Sequence, residues 1–183
     1  KATADLIAKG VKLKVIARSG VGLDNVDAKA AEAKGIRVMN TPGATAISVA
    51  EHAIGLMFAL SRHLVAADRS MRAGQWEKKR FEGRELNGKT LGLVGLGRIG
   101  QETAKRANAL GMTVLANRSR NTKPSDDLSA LGIRVLPLEK MLPQSDIVSL
   151  HCPLIDTTRN LINATTLKQM KKGAFLIHCA RGG

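Results

Sequence analysis

The segment that most constrains this chain is Gly95-Leu-Gly97-Arg-Ile-Gly100. A strand-like run, Thr90–Val94, precedes it, and an amphipathic stretch, Arg98–Leu110, follows. A G-x-G-x-x-G turn between a strand and a helix gives each glycine a task. The first permits the tight turn, the second lets backbone approach a pyrophosphate, and the third lets the helix pack closely on the strand. The helix that starts there offers unbonded N–H groups and the positive end of its dipole to phosphates. Glycine-rich hexapeptides also occur by chance, so the flanking strand and helix carry the inference.

The rest of the chain continues this alternation. Strand-like runs at Leu91–Val94, Met112–Ala116, Ile133–Leu136, Asp146–Leu150 and Ala174–Cys179 are separated by helical stretches. These are Arg98–Leu110, a short one near Ser125–Leu131, one near Leu138–Leu142 and one after Asn163. Apolar β-rich runs separated by helices predict an α/β fold, a doubly wound parallel sheet covered on both faces. Upstream, Leu13–Ala17 and Ile36–Met39 read as short strands around a loop (residues 18–27) and a helix at Ala28–Lys34, ended by Gly35. Asn40-Thr-Pro-Gly43 reads as a turn. Val49, Ala53, Leu56, Met57, Leu60 and Leu64 then recur at helical spacing. Ser48-x-x-Glu51 has the form of a capping box, so one long helix is predicted from about Thr45 to about Met71. Residues 74–89 are polar and charged, as befits a surface connection.

Composition narrows the partners. The charge sum, 29 basic against 15 acidic residues, is +14, which favours anionic ligands. Aromatic residues are only 2% and Tyr is absent, so the stacking platforms of single-strand nucleic-acid binding are missing. The basic residues are scattered and form no nucleic-acid motif, and no nucleic-acid partner is expected. Cys152 and Cys179 make neither a disulfide framework nor a four-ligand zinc site, so no metal is expected and a reducing, cytoplasmic compartment fits best. No apolar run reaches the ~18 residues of a membrane span, and no membrane association is expected.

The residues that follow the second strand bear on cofactor choice. About 20 residues past the glycine turn, an NAD site places Asp or Glu for the ribose hydroxyls. Here the chain reads Ala116-Asn117-Arg118-Ser119-Arg120, without a carboxylate. An acid would repel a 2′-phosphate, whereas arginine binds one with bidentate hydrogen bonds. NADP is favoured over NAD, and NAD remains possible if these arginines are solvated loop charges.

Five segments together resemble one family: RSGVGLDNVD (18–27), NTPGATAISVAEH (40–52), ELNGKTLGLVGLGRIG (85–100), SLHCPL (149–154) and HCARGG (178–183). The chain is similar to the D-isomer-specific 2-hydroxyacid dehydrogenases, above all their 3-phosphoglycerate dehydrogenase branch, over nearly its whole length. The resemblance implies residues 1–44 as part of a flavodoxin-like substrate domain and residues 45–183 as an incomplete Rossmann cofactor domain. It implies a homodimer formed through the helix near 45–71. It implies that Val21 and Gly22 approach the substrate carboxylate and the nicotinamide through backbone N–H groups. Arg98 and Ile99 match residues over the pyrophosphate. His151, Cys152 and Pro153 match a strand end lining the adenosine half. Cys179, Ala180 and Arg181 match the strand end beneath the nicotinamide, and Arg181 matches the catalytic arginine. Arg118 departs from the usual acid, as in NADP-using glyoxylate and hydroxypyruvate reductases.

The activity implied is hydride transfer between a nicotinamide and a small anionic 2-hydroxy or 2-keto acid of the 3-phosphoglycerate, hydroxypyruvate or glyoxylate type. The implied general acid is a His supported by a Glu, both beyond the RGG segment. His52, His63, His151 and His178 do not match it, so the chain reads as a fragment, inactive alone. Trp76 resembles a packing position, and Lys171-Lys172 read as cations at a helix C-terminus. Some relatives of the family are non-enzymatic, dinucleotide-sensing corepressors, which is the alternative reading. If Arg118 selects the 2′-phosphate, Arg118→Asp weakens NADPH binding by about tenfold or more while sparing or improving NADH; paired fluorescence titrations check it, and equal loss of both ligands refutes it.

Overall fold

The computed structural model describes residues 1–118 and 130–181. The chain divides into two compact units, Lys1–Ala46 and Ile47–Gly183.

In the first unit, helix α1 (Ala4–Lys9) is capped by Thr3, whose side chain accepts the Leu6 N–H. Strand β1 (Val15–Arg18) and strand β2 (Arg37–Asn40) pair in parallel, Val15 beside Arg37. Helix α2 (Ala28–Ala33) connects them, with Asp27 as its N-cap and Gly35, at φ +67, turning the chain out of it. Left-handed backbone suits glycine there because no Cβ is present to clash. Ile7, Ala31 and Ile36 form the buried core, with Ile16 and Val38 against it.

The second unit opens with α3 (Ala46–Ser61) and α4 (Leu64–Arg72), followed by a 3₁₀ turn at Lys78–Phe81. The predicted single helix is therefore two. The Ser61 carbonyl accepts the Arg84 N–H at 2.8 Å, and His63 takes a left-handed φ of 54°. A carbonyl bonded from outside the helix is taken from the intrahelical ladder, and the helix breaks there. Gly83 is needed at that crossing, since a Cβ on it would run into the Ser61 carbonyl. Ser48 and Glu51 lie inside α3 rather than at its start, so they form no capping box. Glu51 instead reaches Arg106 at 3.3 Å. The apolar stripe divides too: Ala50, Ala53, Ile54 and Met57 are buried, whereas Leu60, Leu64 and Val65 are exposed. Trp76, expected at a packing position, is 80% exposed.

From here the predicted alternation holds, with ends shifted by a residue or so. Strands β3 (Thr90–Val94), β4 (Thr113–Asn117), β5 (Arg134–Val135), β6 (Ile147–Leu150) and β7 (Phe175–His178) form one parallel sheet in the order β5-β4-β3-β6-β7. Helices α5 (Arg98–Ala109), α6 (Leu138–Met141) and α7 (Ala164–Gln169) lie between them. The predicted strand at 133–136 shortens to two residues. The short helix expected near Ser125–Leu131 falls mostly outside the described residues.

Side chains alternate across the sheet. Leu91, Leu93, Val114, Ala116, Ile147 and Ile177 join one core with Ala53, Met57, Ala104 and Ala107. Val94, Leu115, Val148 and Leu150 join a second with Met141 and Leu142. Each fully buried Leu, Ile, Val or Met among them contributes about 1.5–3 kcal/mol. The close seating of α5 comes from its small inward residues, Gly100, Thr103, Ala104 and Ala107. Gly92 serves the second face: a Cβ there would collide with the Ser145 hydroxyl.

Asp146 ties three strands at the opposite end of the sheet. Its carboxylate accepts the Thr90 N–H at 2.8 Å and pairs with Lys171 at 2.8 Å, and its carbonyl accepts the Phe175 N–H. Lys171, expected as a helix-end cation, is thus an ion-pair partner across the fold. Burial works to raise the Asp146 pKa; the Lys171 and Thr90 hydrogen bonds outweigh it and hold the group below its ordinary value. A carboxylate depressed on folding stabilises the protein above its unfolded pKa, near 3.9, and that contribution fades as pH falls through the folded value. Asp146→Asn accordingly costs about 1 kcal/mol at pH 7 and flattens the loss of stability below about pH 4, as read from urea melts across pH.

Candidate functional site

Strands β3 and β6 are neighbours, and the chain winds away from them in opposite directions, through β4 to β5 and through β6 to β7. In an open parallel sheet the crevice beyond the strand ends at such a switch point is where ligands bind. Each glycine of the turn at that crevice meets a different demand. Gly95 has φ +99, and its N–H bonds the Asn117 carbonyl at 2.8 Å. A Cβ on it would lie 2.9 Å from the His151 carbonyl and the Cys152 nitrogen. Gly97 is the N-cap of α5, makes no side-chain cap, and has nothing within 4 Å of where a Cβ would stand. A Cβ on Gly100 would strike the Gly95 carbonyl oxygen. Arg98 is exposed at the first helical position and Ile99 is half-buried beside it.

Across the crevice, Asn117 closes β4. Its side-chain N–H donates to the Leu136 carbonyl at 3.1 Å, so this amide braces the β4–β5 edge. Arg118 follows it, half-buried. Ser119 and Arg120 lie outside the described residues, as do Gly182 and Gly183.

The ends of β6 and β7 complete the site. Leu150, Cys152, Pro153, His178, Ala180 and Arg181 line a cavity of ≈ 290 Å³. Arg181 is exposed there; its guanidinium donates to the Ala180 carbonyl, and its own carbonyl lies 2.7 Å from His178 Nε2. The His151 imidazole turns the other way, with Nε2 at 2.9 Å from Ser149 Oγ and 3.5 Å from Thr103 Oγ1. Burial pushes its pKa down to about 4. What stands beside Gly95 is the His151 backbone. Cys152 and Cys179 are half-buried, and burial raises both thiols above their ordinary value. Both therefore stay protonated at neutral pH and are poor nucleophiles.

Residues 54–183 match the NAD binding domain of the D-isomer specific 2-hydroxyacid dehydrogenases. The chain belongs to that family. It is 50% identical over 183 residues to a hydroxypyruvate reductase of Thermotoga maritima, covering all of this chain and 58% of that protein. It is 47% identical over 184 residues to a D-3-phosphoglycerate dehydrogenase of Pongo abelii, covering all of this chain and 34% of that one. The chain thus spans between about a third and three fifths of the length of these relatives. A solved D-lactate dehydrogenase of Aquifex aeolicus, complexed with NAD and lactic acid, superposes with a TM-score of 0.86 at 36% identity, over 100% of this chain and 54% of that one.

A dinucleotide fits this NAD-binding domain on the structure's own terms. The open flank of Gly97 and the side-chain-free cap of α5 leave room and donors for a pyrophosphate. Arg98 and Arg118 supply cations at the crevice. In the first unit, the Gly20–Gly22 loop is held by β2 and its following residue. Asn40 donates to the Val21 carbonyl at 2.7 Å, and Thr41 accepts the Gly20 N–H at 2.8 Å. Sequence reasoning took Asn40 and Thr41 only as turn residues, and it passed over Thr103 and Ser149. The signal for the latter pair was present: a hydroxyl at an inward helix position and another in an otherwise apolar strand, both 0% exposed.

The glycines separate binding from folding. Gly97→Ser keeps thermal stability within about 0.5 kcal/mol, because serine is a good N-cap, yet weakens dinucleotide binding by about tenfold or more by filling the approach. Gly100→Ala loses about 1–3 kcal/mol through overpacking against Gly95. Melts and NADH titrations of the two variants check this contrast.

Proposed function

We propose that this chain is the dinucleotide-binding part, with a piece of the substrate domain at residues 1–44, of an NAD(P)-dependent oxidoreductase acting on a small anionic 2-hydroxy or 2-keto acid. The observation that carries the reading is the glycine cradle at the switch point, next to a cavity bearing Arg181. The bound nicotinamide supplies or takes up the hydride at C4. Gly95, Gly97, Arg98, Ile99 and Gly100 hold the pyrophosphate. The backbone of His151, Cys152 and Pro153 would wall the adenosine side of a bound dinucleotide, and Cys179 and Ala180 would help hold its nicotinamide half.

Arg181 clamps the substrate carboxylate and polarises its 2-keto oxygen, fixing the reacting carbon and stabilising the developing alkoxide. For Val21 and Gly22 of the first unit, the family resemblance alone supports a role in binding the substrate carboxylate through their N–H groups. None of the four histidines takes the proton-transfer role: His151 is buried and turned inward, His178 is bonded to the Arg181 carbonyl, and His52 and His63 lie on α3 and at the α3–α4 break. By the family resemblance, that role falls to a His supported by a Glu, which none of these four residues matches. Arg118, in place of an acid, favours NADP, with NAD as the weaker ligand.

The exposed Leu60, Leu64, Val65 and Met71 of α3 and α4 support a homodimer formed through these helices. Two unpaired cysteines accord with a cytoplasmic setting. Among the described residues no helix is long and apolar enough to cross a membrane. Fluorescence titration of the chain with NADPH and NADH tests the reading, with a hydroxypyruvate assay alongside. NADPH is expected to bind about tenfold more tightly than NADH, without turnover by these residues alone. Failure to bind either nucleotide refutes the dinucleotide assignment, and turnover refutes the absence of a proton donor.

A further inference from the structure

Behind the crevice wall, one imidazole joins two secondary-structure elements. His151 Nε2 lies 2.9 Å from Ser149 Oγ on β6 and 3.5 Å from Thr103 Oγ1 on α5. The Thr103 hydroxyl donates to the Ile99 carbonyl at 2.9 Å. Its one proton is committed there, so only its lone pair faces the ring. The Ser149 hydroxyl, the nearer partner, can donate or accept; an Nε2–H serves both oxygens, and Nδ1 then carries a lone pair that meets no hydrogen-bond partner among the described residues. The ring is a neutral bridge from the end of β6 to the first turns of α5. Ile99 is the residue before Gly100, whose closeness to Gly95 sets the phosphate turn. The bridge and the glycine contact thus act on the same short stretch of helix from two sides. Burial holds the ring's pKa near 4, so it adds no charge to the crevice at neutral pH.

We propose that His151, as the neutral Nε2–H tautomer, is a positioning residue that sets the spacing between the N-terminus of α5 and the end of β6, and so the opening that receives a pyrophosphate. The proposal rests on the dinucleotide reading above and deepens it. The ring acts through α5 and does not touch ligand. Its effect is therefore common to every ligand with a pyrophosphate, whatever stands on the nicotinamide side.

The test measures binding of NADH and of ADP-ribose to the chain and to His151→Leu, His151→Gln, Thr103→Val and the His151→Leu/Thr103→Val double variant. Melting temperature and circular dichroism certify each fold. Thr103→Val keeps the side-chain shape, so it decides the matter if His151→Leu does not fold. His151→Leu and Thr103→Val each weaken both ligands by about tenfold, and the double variant is no weaker than the weaker single, because the two residues share one bridge. His151→Gln, whose amide N–H can replace Nε2–H, recovers most of the affinity. Nitrogen-15 NMR of the imidazole shows the proton on Nε2. Unchanged affinity in the folded single variants, additive losses, or a proton on Nδ1 overturns the proposal. If the unsubstituted chain binds neither ligand, the dinucleotide reading falls and takes this proposal with it; unchanged binding by the variants alone leaves that reading standing.

Discussion

The approach of Gly95 to the end of β6 is the constraint on which the rest of the structure depends. With His151 and Cys152 backbone atoms 2.9 Å from where a side chain would begin, no other residue fits at that turn. The contact brings the phosphate turn onto the switch point, and Gly100 then brings α5 down on the same turn. The small inward face of α5 continues the close seating along the helix. One element of this set cannot be enlarged without moving the next, because a packed interior absorbs little added volume. The positive end of α5 consequently faces the crevice between β3 and β6.

The same packing sorts the chemical groups. His151 and the two cysteines are drawn inward, and burial keeps each in its neutral form. Arginines remain at the rim: Arg98 at the helix start, Arg118 after β4 and Arg181 after β7. Arginine holds its charge at any physiological pH. The rim of the crevice therefore carries fixed positive charge, as suits a phosphorylated cofactor.

Much of this was legible in the residues. The glycine spacing placed the turn, and the apolar runs placed β3, β4, β6 and β7 to within about a residue, because a strand buried on both faces needs a continuous apolar segment. The α3–α4 break was not legible. Its cause is a hydrogen bond from Arg84 to Ser61, residues far apart in sequence. The Ser48/Glu51 pattern misled for a related reason: the helix starts at Ala46, and Glu51 finds a partner on α5. Lys171 likewise read as a local helix-end charge and proved to be the partner of Asp146.

The sequence by itself determined the fold class, the place of the phosphate turn and the identity of the residues around it. These follow from local rules of glycine freedom and apolar periodicity, which act within a few neighbouring residues. Only the tertiary structure decided which way the side chains at the strand ends turn. His151 and Arg181 follow neighbouring strands of one sheet, yet one bridges β6 to α5 and the other lines the cavity. The physical reason is that a side chain settles where its polar atoms find partners. For His151 those partners, Ser149 and Thr103, are brought together by the strand–helix packing, which no local pattern encodes.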